Sequence, residues 1–184
     1  MAGDQRAEER AGDDELVVLL DASGRPAGTA RKGDVHHAPA PYHLAFSCYA
    51  FGPDGRLLVT RRAASKRTWP GVWTNTCCGH PAPGEEPQIA VRRRLADELG
   101  TEVIDLVLAL PDFSYRVRDG DVEEHELCPV YLARVGRAVA PHPDEVDETG
   151  WWPWEDFLAR ASDDPALSPW ARLQAPLLAD AVSA

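Results

Sequence analysis

At 184 residues, with 44% hydrophobic and 27% charged side chains, the chain has enough material for one domain around a single core. Its formal net charge of −11 argues against general nucleic-acid binding, which needs clustered cations, and no apolar stretch approaches the ~20 residues that cross a bilayer. An anionic small-molecule substrate stays open to it where local Lys and Arg overcome the global field.

Residues 1–14 are polar and mostly acidic and lack the apolar core of a secretion signal, so a disordered tail is expected ahead of a single domain over 15–184. Leu16–Leu20 reads as a strand closed by the Asp21-Ala22-Ser23-Gly24 turn. His43–Phe51 and Arg56–Thr60 read as hairpin partners around Gly52-Pro53-Asp54-Gly55. Glu85–Leu99 sets apolar Ile89, Val91, Leu95 and Leu99 beside a charged face, with Pro87 suited to a first helical turn and Gly100 to the stop. Strands are expected over Val103–Leu110, Phe113–Arg118 and Glu124–Val135, the last two turning at Asp119-Gly120, with a short strand at Gly150–Trp152. Two helices follow: Trp154–Arg160, entered after Pro153, and Trp170–Val182, which Pro176 should kink or split. Strands mix with a few helices without strict alternation, so the expected class is α+β.

The four cysteines Cys48, Cys77, Cys78 and Cys128 contain no Cys-x-x-Cys pair, which argues against a structural zinc cage. The lack of an export signal favours reduced thiols in the cytoplasm. Chemistry concentrates in Trp69-Pro70-Gly71-Val72-Trp73-Thr74-Asn75-Thr76-Cys77-Cys78-Gly79-His80-Pro81, where thiols, an imidazole and two indoles sit among turn-making residues. At least one of Cys77 and Cys78 is expected to be buried. From Gly79, five residues lead to Glu85 and seven more to Arg93-Arg94, followed by Leu95-Ala96-Asp97-Glu98-Leu99-Gly100. This loop and helix resemble the Nudix box. A Nudix hydrolase would carry Glu where this chain has Arg94 and Asp97. Arg94 and Glu98 share a helical face, so a guanidinium replaces a metal-binding carboxylate and adds a diphosphate contact. The hydrolytic metal site is thereby reassigned, while Glu98 still projects toward a divalent cation on a diphosphate.

His36, His43, His80, Glu124 and Glu126 offer imidazoles and carboxylates of the kind that suit an octahedral metal better than tetrahedral zinc. Glu124 and Glu126, two apart on a strand, face the same side. Spacing alone does not bring the distant histidines together. Motifs from about Leu16 to Trp170 are similar to the type 1 isopentenyl-diphosphate isomerases: His43-Leu44-Ala45-Phe46-Ser47, Leu57-Leu58-Val59-Thr60-Arg61-Arg62-Ala63, Trp69 to Asn75, Cys78-Gly79-His80-Pro81, Tyr115-Arg116, Glu124 to Val130 and Ser168-Pro169-Trp170.

That resemblance implies a Nudix-like α/β/α sandwich with a mixed sheet and the interconversion of isopentenyl and dimethylallyl diphosphates through a tertiary carbocation. It implies Cys78 and Glu126 as proton-handling groups on opposite faces of the alkene, Tyr115 hydrogen-bonded beside Glu126, and Trp170 over the cation, where a desolvated cation–π contact contributes about 2 kcal/mol. It implies a divalent metal (Mn, Mg or Zn) on His36, His43, His80, Glu124 and Glu126, and a second ion, Mg arriving with the diphosphate, on Glu98 and the Cys78 carbonyl. Lys32, Arg62, Lys66 and Arg94 match the diphosphate-binding positions. The seven-residue step to His43 selects His36 over His37; Cys128 is read as packing, and His142 as solvent-exposed.

Arg61, Arg67, Arg92 and Arg93 are read as solvated or structurally paired. The Tyr115-to-Glu124 hairpin is one residue shorter than the family's, so the facing of Glu124 rests on its register, with Glu123 pointing away. The partner expected is a small isoprenoid diphosphate met by a cytoplasmic monomer, with no nucleic acid, membrane, flavin or redox cofactor. The competing readings are a Nudix hydrolase of a nucleoside diphosphate derivative and a non-catalytic diphosphate-binding domain.

Overall fold

The computed structural model describes residues 14–183, so the tail expected over 1–14 lies, apart from Asp14, outside the described residues. Twelve strands are described, together with three α-helices. They are β1 (Leu16–Leu20), β2 (Pro26–Arg31), β3 (His43–Leu44), β4 (Phe46–Phe51), β5 (Leu57–Arg62), β6 (Trp73–Thr74) and β7 (Cys77–Gly79), then β8 (Val103–Leu110), β9 (Ser114–Asp119), β10 (Val122–Leu127), β11 (Val130–Val135) and β12 (Val146–Trp152). The helices are α1 (Pro87–Leu99), α2 (Trp154–Asp163) and α3 (Pro169–Ser183).

The strands form two sheets. A five-stranded sheet runs β2-β1-β3-β10-β9; a seven-stranded sheet runs β12-β5-β4-β11-β8, with β6 on β5 and β7 on β4. Two stretches expected as single strands are each divided between the sheets. His43–Phe51 breaks at Ala45 into β3 and β4, and the stretch ending at Val135 breaks at Cys128-Pro129 into β10 and β11. β3 runs parallel to β10, with His43 opposite Glu126, and β4 runs parallel to β11, with Ser47 opposite Val130. The ladder continues across the break through Ala45 N–H to Leu127 O (2.8 Å) and Ser47 N–H to Pro129 O (3.0 Å). Both chains therefore leave one sheet and enter the other side by side. Pro129 has no N–H to give a ladder, which suits a place where pairing changes.

Strict alternation along β4 and β5 builds two cores. Tyr49, Leu57 and Val59 face α2 and α3 with Trp154, Phe157, Ala171, Ala175 and Leu178, while Phe46, Cys48, Ala50 and Leu58 face α1 through Val91, Leu95 and Leu99. Each fully buried Val or Leu contributes roughly 1.5–3 kcal/mol. The result is an α/β/α sandwich. α1 begins at Pro87 and stops at Gly100 in the left-handed region (φ 58°), where an added Cβ would meet Ala140 Cβ at 3.1 Å.

Of the kink or split expected at Pro176, the split does not occur: α3 is one helix over 169–183. Pro176 lies on its exposed side, while Ala171, Ala175 and Leu178 hold the inner face. β2 was not foreseen because Pro26 and Gly28 mask it; it is an edge strand, where Pro at the first position is tolerated. β6 and β7 are too short to stand out within the 69–81 run, and β12 extends back to Val146 beyond the three residues expected.

Candidate active site

β3, β9 and β10 form one wall of the site. The β9–β10 hairpin closes with Asp119 opposite Val122, which places Glu124 opposite Val117 and Glu126 opposite Tyr115. Glu124, Glu126 and Tyr115 thus share a face, while Glu123 turns to the other face, paired with Arg116 and accepting from Ala40 N–H (3.3 Å). His36, His43 and His80 converge on Glu126: their Nε2 atoms lie 4.0, 3.3 and 3.3 Å from Glu126 Oε1. One donor atom from each of these four residues lies within 4.8 Å of the others. His37, by contrast, is exposed.

His43 tests whether this group fits a metal. Its Nδ1 lies 2.9 Å from the Pro41 carbonyl, which requires N–H at that position and leaves Nε2 as the lone-pair nitrogen of the neutral ring. Nε2 is buried without a hydrogen bond and faces a carboxylate. Two electron-rich atoms so placed call for a cation. Burial, with the charge of His80, pushes His36 down to about 3, and burial pushes His80 down to about 4, so both rings are neutral ligands at physiological pH. At His43 burial acts downward, but the contacts with Glu126 prevail and raise its pKa. Burial acts upward on Glu126, yet the adjoining His43 and His80 imidazoles hold it well below the usual carboxylate range. Three imidazoles and an ionised carboxylate form an N/O donor set that fits a divalent metal.

Glu124 stands outside that four-residue group. Its Oε2 and Glu126 Oε2 each lie 2.8 Å from the Tyr115 hydroxyl. One phenolic proton cannot serve two carboxylates. Burial and the neighbouring Glu126 charge raise Glu124 to about 8, so its own proton completes the arrangement.

The second wall comes from the other sheet. Cys77 and Cys78 lie on β7, Cys77 buried and Cys78 partly exposed, with Ser47 of β4 opposite Cys78. Gly79 lets β7 approach Phe46 and Arg94, whose side-chain atoms would lie 3.0 and 3.2 Å from an added Cβ. Cys78 Sγ sits 3.4 Å from Ser47 Oγ and 3.4 Å from Asn75 Oδ1. Burial pushes this thiol up to about 12 against those hydrogen bonds and the Arg62 charge, so it is S–H at neutral pH. The Asn75 amide donates to the carbonyls of Cys48 and Cys77 (both 2.9 Å), which turns its oxygen toward Cys78 and Trp170. Trp170 Nε1–H is shared between Thr74 Oγ1 (3.0 Å) and Asn75 Oδ1 (3.1 Å), and its ring stands edge-on to Trp69 and 6.5 Å from the Tyr115 ring.

One cavity of about 890 Å³ is lined by His36, Cys78, Glu126 and Trp170 and also by Lys32, Arg62, Lys66 and Arg94. Arg62 is held by Thr68, through its carbonyl and hydroxyl at 2.9–3.1 Å, with its guanidinium carbon 5.6 Å from the Trp170 ring centre. Lys32 pairs with Glu15 (3.2 Å) and Lys66 with Glu145 (2.6 Å). Arg94 pairs with Glu98 and, at 3.4 Å, with Glu145. Burial raises Glu98, with Arg94 opposing. Glu98 therefore lies with the cations and apart from the histidines. Glu85 folds back on α1, taking a two-pronged bond from Arg93 (2.9 Å each). Arg61 pairs with Glu148, Arg92 donates to the Val103 carbonyl, and Arg67 lines the cavity.

Cys128 is buried in the core and His142 is exposed. Ser47, Asn75 and Glu145 acquire roles here that their sequence context did not announce. Gln174 had a faint signal, as a lone amide in the apolar stripe of α3.

A NUDIX domain family model matches residues 41–174. The fold is shared with DR0079 of Deinococcus radiodurans (TM-score 0.69, 20% identity, 88% of this chain and 98% of that one) and with the MutT protein of Methanosarcina mazei Go1 (0.60, 20%, 76% and 94%). The chain is thus a Nudix-domain protein. Isopentenyl-diphosphate Delta-isomerase of Mycolicibacterium vanbaalenii is 56% identical over 89% of this chain and 91% of its own length. The enzymes of that name from Agromyces mediolanus and Frankia alni are both 55% identical, over 89% and 86% of this chain and 81% and 82% of theirs. Within the Nudix proteins, the chain belongs to the isopentenyl-diphosphate Delta-isomerases.

Proposed function

We propose that this isomerase interconverts isopentenyl and dimethylallyl diphosphates by moving protons between the substrate and the two walls of its cavity. The single observation that carries the reading is that thiol and carboxylate, set on different sheets, line one cavity with Lys32, Arg62, Lys66 and Arg94. Lys32, Arg62, Lys66 and Arg94 bind the diphosphate, and the hydrocarbon end lies among Cys78, Tyr115, Glu126 and Trp170. In one direction an S–H or carboxyl O–H bond breaks as a C–H bond forms at the terminal alkene carbon. The group on the opposite face takes the proton from the far carbon. The intermediate tertiary cation needs a dry site with electron-rich neighbours. Tyr115 and Trp170 are 9% and 2% exposed and supply aromatic faces.

A divalent metal would be held by His36, His43, His80 and Glu126, with Glu124 adjoining, and when bound it supplies positive charge that lowers the proton affinity of Glu126. The candidate ions are Mn, Mg and Zn. A Mg ion arriving with the diphosphate would meet Glu98 and the Cys78 carbonyl. The Arg94–Glu98 pair supports the isomerase over a nucleoside diphosphate hydrolase, because a guanidinium stands where hydrolytic metal chemistry needs a carboxylate. No helix among the described residues is long and apolar enough to cross a membrane. The free cysteines support a reducing, cytoplasmic setting; the chain is taken to act as a monomer.

The test is proton NMR with isopentenyl diphosphate and Mg in deuterium oxide. Deuterium-labelled dimethylallyl diphosphate is expected from the native chain and none from Cys78→Ala. Intact substrate from the metal-reconstituted protein, with phosphate released from nucleoside diphosphates, would return the hydrolase.

A further inference from the structure

The Cys78 sulfur also makes contacts on its buried side, where the reaction as described uses none of the residues. Gln174 lies in the α3 stripe of Ala171, Ala175 and Leu178, all 0% exposed, and is itself 0% exposed. Packing alone would favour an apolar residue there, since a buried amide is costly unless its donors and acceptor are met. They are met by two groups of β4 and, more weakly, by Cys128 Sγ at 3.9 Å from the amide nitrogen. Tyr49 O–H donates to Gln174 Oε1 (3.0 Å), and Gln174 Nε2 donates to Ser47 Oγ (3.0 Å). The tyrosine thereby decides which end of the amide faces the serine.

A serine hydroxyl has two lone pairs and one proton. Gln174 fills one pair. Two sulfurs lie at 3.4 Å from Ser47 Oγ, those of Cys128 and Cys78. Cys128 is a buried free thiol outside the cavity lining, and its Sγ already faces the second N–H of Gln174 at 3.9 Å, so its own S–H is the donor assigned to the second pair. The hydroxyl proton is left with one destination.

We propose that Tyr49, Gln174 and Ser47 form a buried relay that directs the Ser47 hydroxyl proton onto Cys78 Sγ, which makes Ser47 and Gln174 positioning residues for the proton transfer. The relay rests on the reading of Cys78 as the proton-handling thiol. When the Cys78 S–H bond breaks and its proton forms a C–H bond with the alkene, the electron pair stays on sulfur. Ser47 O–H then bonds to that pair without giving up its proton. In the protonated state the S–H points at Asn75 Oδ1, 3.4 Å away. The sulfur is thus held between a donor for one state and an acceptor for the other, and its line of approach to the substrate is set before binding.

The experiment is steady-state kinetics with isopentenyl diphosphate on the full chain, with thermal melting alongside. Ser47→Ala should lower kcat roughly ten- to a hundredfold, the range of one hydrogen bond to a charged group, with KM within about twofold. Gln174→Met should lower kcat in the same way, and the double variant should be no slower than Ser47→Ala. Gln174→Glu keeps both hydrogen bonds as the buried acid, so it should recover most of what Gln174→Met loses. An unchanged kcat in Ser47→Ala, losses that multiply in the double variant, or a Gln174→Glu no faster than Gln174→Met would overturn the relay. Should Ser47→Ala not fold, the two Gln174 variants decide by the same kcat and KM split. Cys78→Ala separates the two levels: if it still isomerises, the thiol reading fails, whereas an inactive Cys78→Ala beside a normal Ser47→Ala removes the relay alone.

Discussion

The two walls of the cavity keep their thiol and carboxylate in opposite protonation states by opposite means. On the seven-stranded sheet, Cys78 is surrounded by neutral hydrogen-bonding partners, Ser47 and Asn75, and burial leaves it a thiol. On the five-stranded sheet, Glu126 is buried more deeply, but the His43 and His80 imidazoles beside it hold it ionised. Burial acts upward on both groups. The neighbours, not the depth, decide which group enters with a proton and which without.

Removing the thiol tests this contrast most strongly. Cys78→Ala should lower kcat by about a thousandfold or more, within the range of positioned acid–base groups, with KM little changed, as NMR of product formation would show. On the other wall, Glu126→Gln should cost a similar or somewhat smaller factor, on the order of a hundredfold, and should also reduce metal content by elemental analysis, because one of four converging donors is lost. A variant that loses activity yet keeps its full metal content would show that the carboxylate does not help hold the ion.

Away from the walls, Arg94→Ala should raise KM for the diphosphate about tenfold with a smaller change in kcat. It should also destabilise the fold by about 3–5 kcal/mol in denaturant melts, since it strands Glu98, which is 7% exposed, without a partner. Stability unchanged in that variant would mean that Glu98 takes up a proton at little cost. The smallest effect belongs to Glu85 at the entry to α1. Its hydrogen bonds from Arg93 hold it below its ordinary 4.5, so the pair stabilises the fold above that pH and loses its contribution as pH falls through the depressed value. Arg93 is 37% exposed, so Glu85→Gln should cost under about 1 kcal/mol at pH 7, with native and variant melting alike in acid.

Much of the fold was legible. α1 could be bounded from Pro87 and Gly100 because both residues act on the backbone locally, through a missing N–H and a left-handed φ. β4 and β5 could be read as strands and hairpin partners, but both are buried on either face, so no single inward side was there to name. The splitting of two long strands between sheets was not legible, because Ala45 and Cys128 continue the apolar pattern through the crossing. The continuity of α3 was hidden for a related reason: the local cost of Pro176 was visible, while the packing of Ala171, Ala175 and Leu178 on its inner face was not.

By itself the sequence determined which residue types were available, the local starts and stops of elements, and, through motifs spread from Leu16 to Trp170, the family to which the chain belongs. Only the tertiary structure decided that His36, His43 and His80 meet at one oxygen of Glu126, that Glu124 shares the Tyr115 hydroxyl with Glu126, and that Gln174, 127 residues from Ser47, reaches the back of the thiol wall. The physical reason is one of range. A cap or turn is encoded by neighbours that share its dihedral angles, whereas a site assembled from two sheets depends on a crossover whose geometry is set by parallel pairing between segments some eighty residues apart.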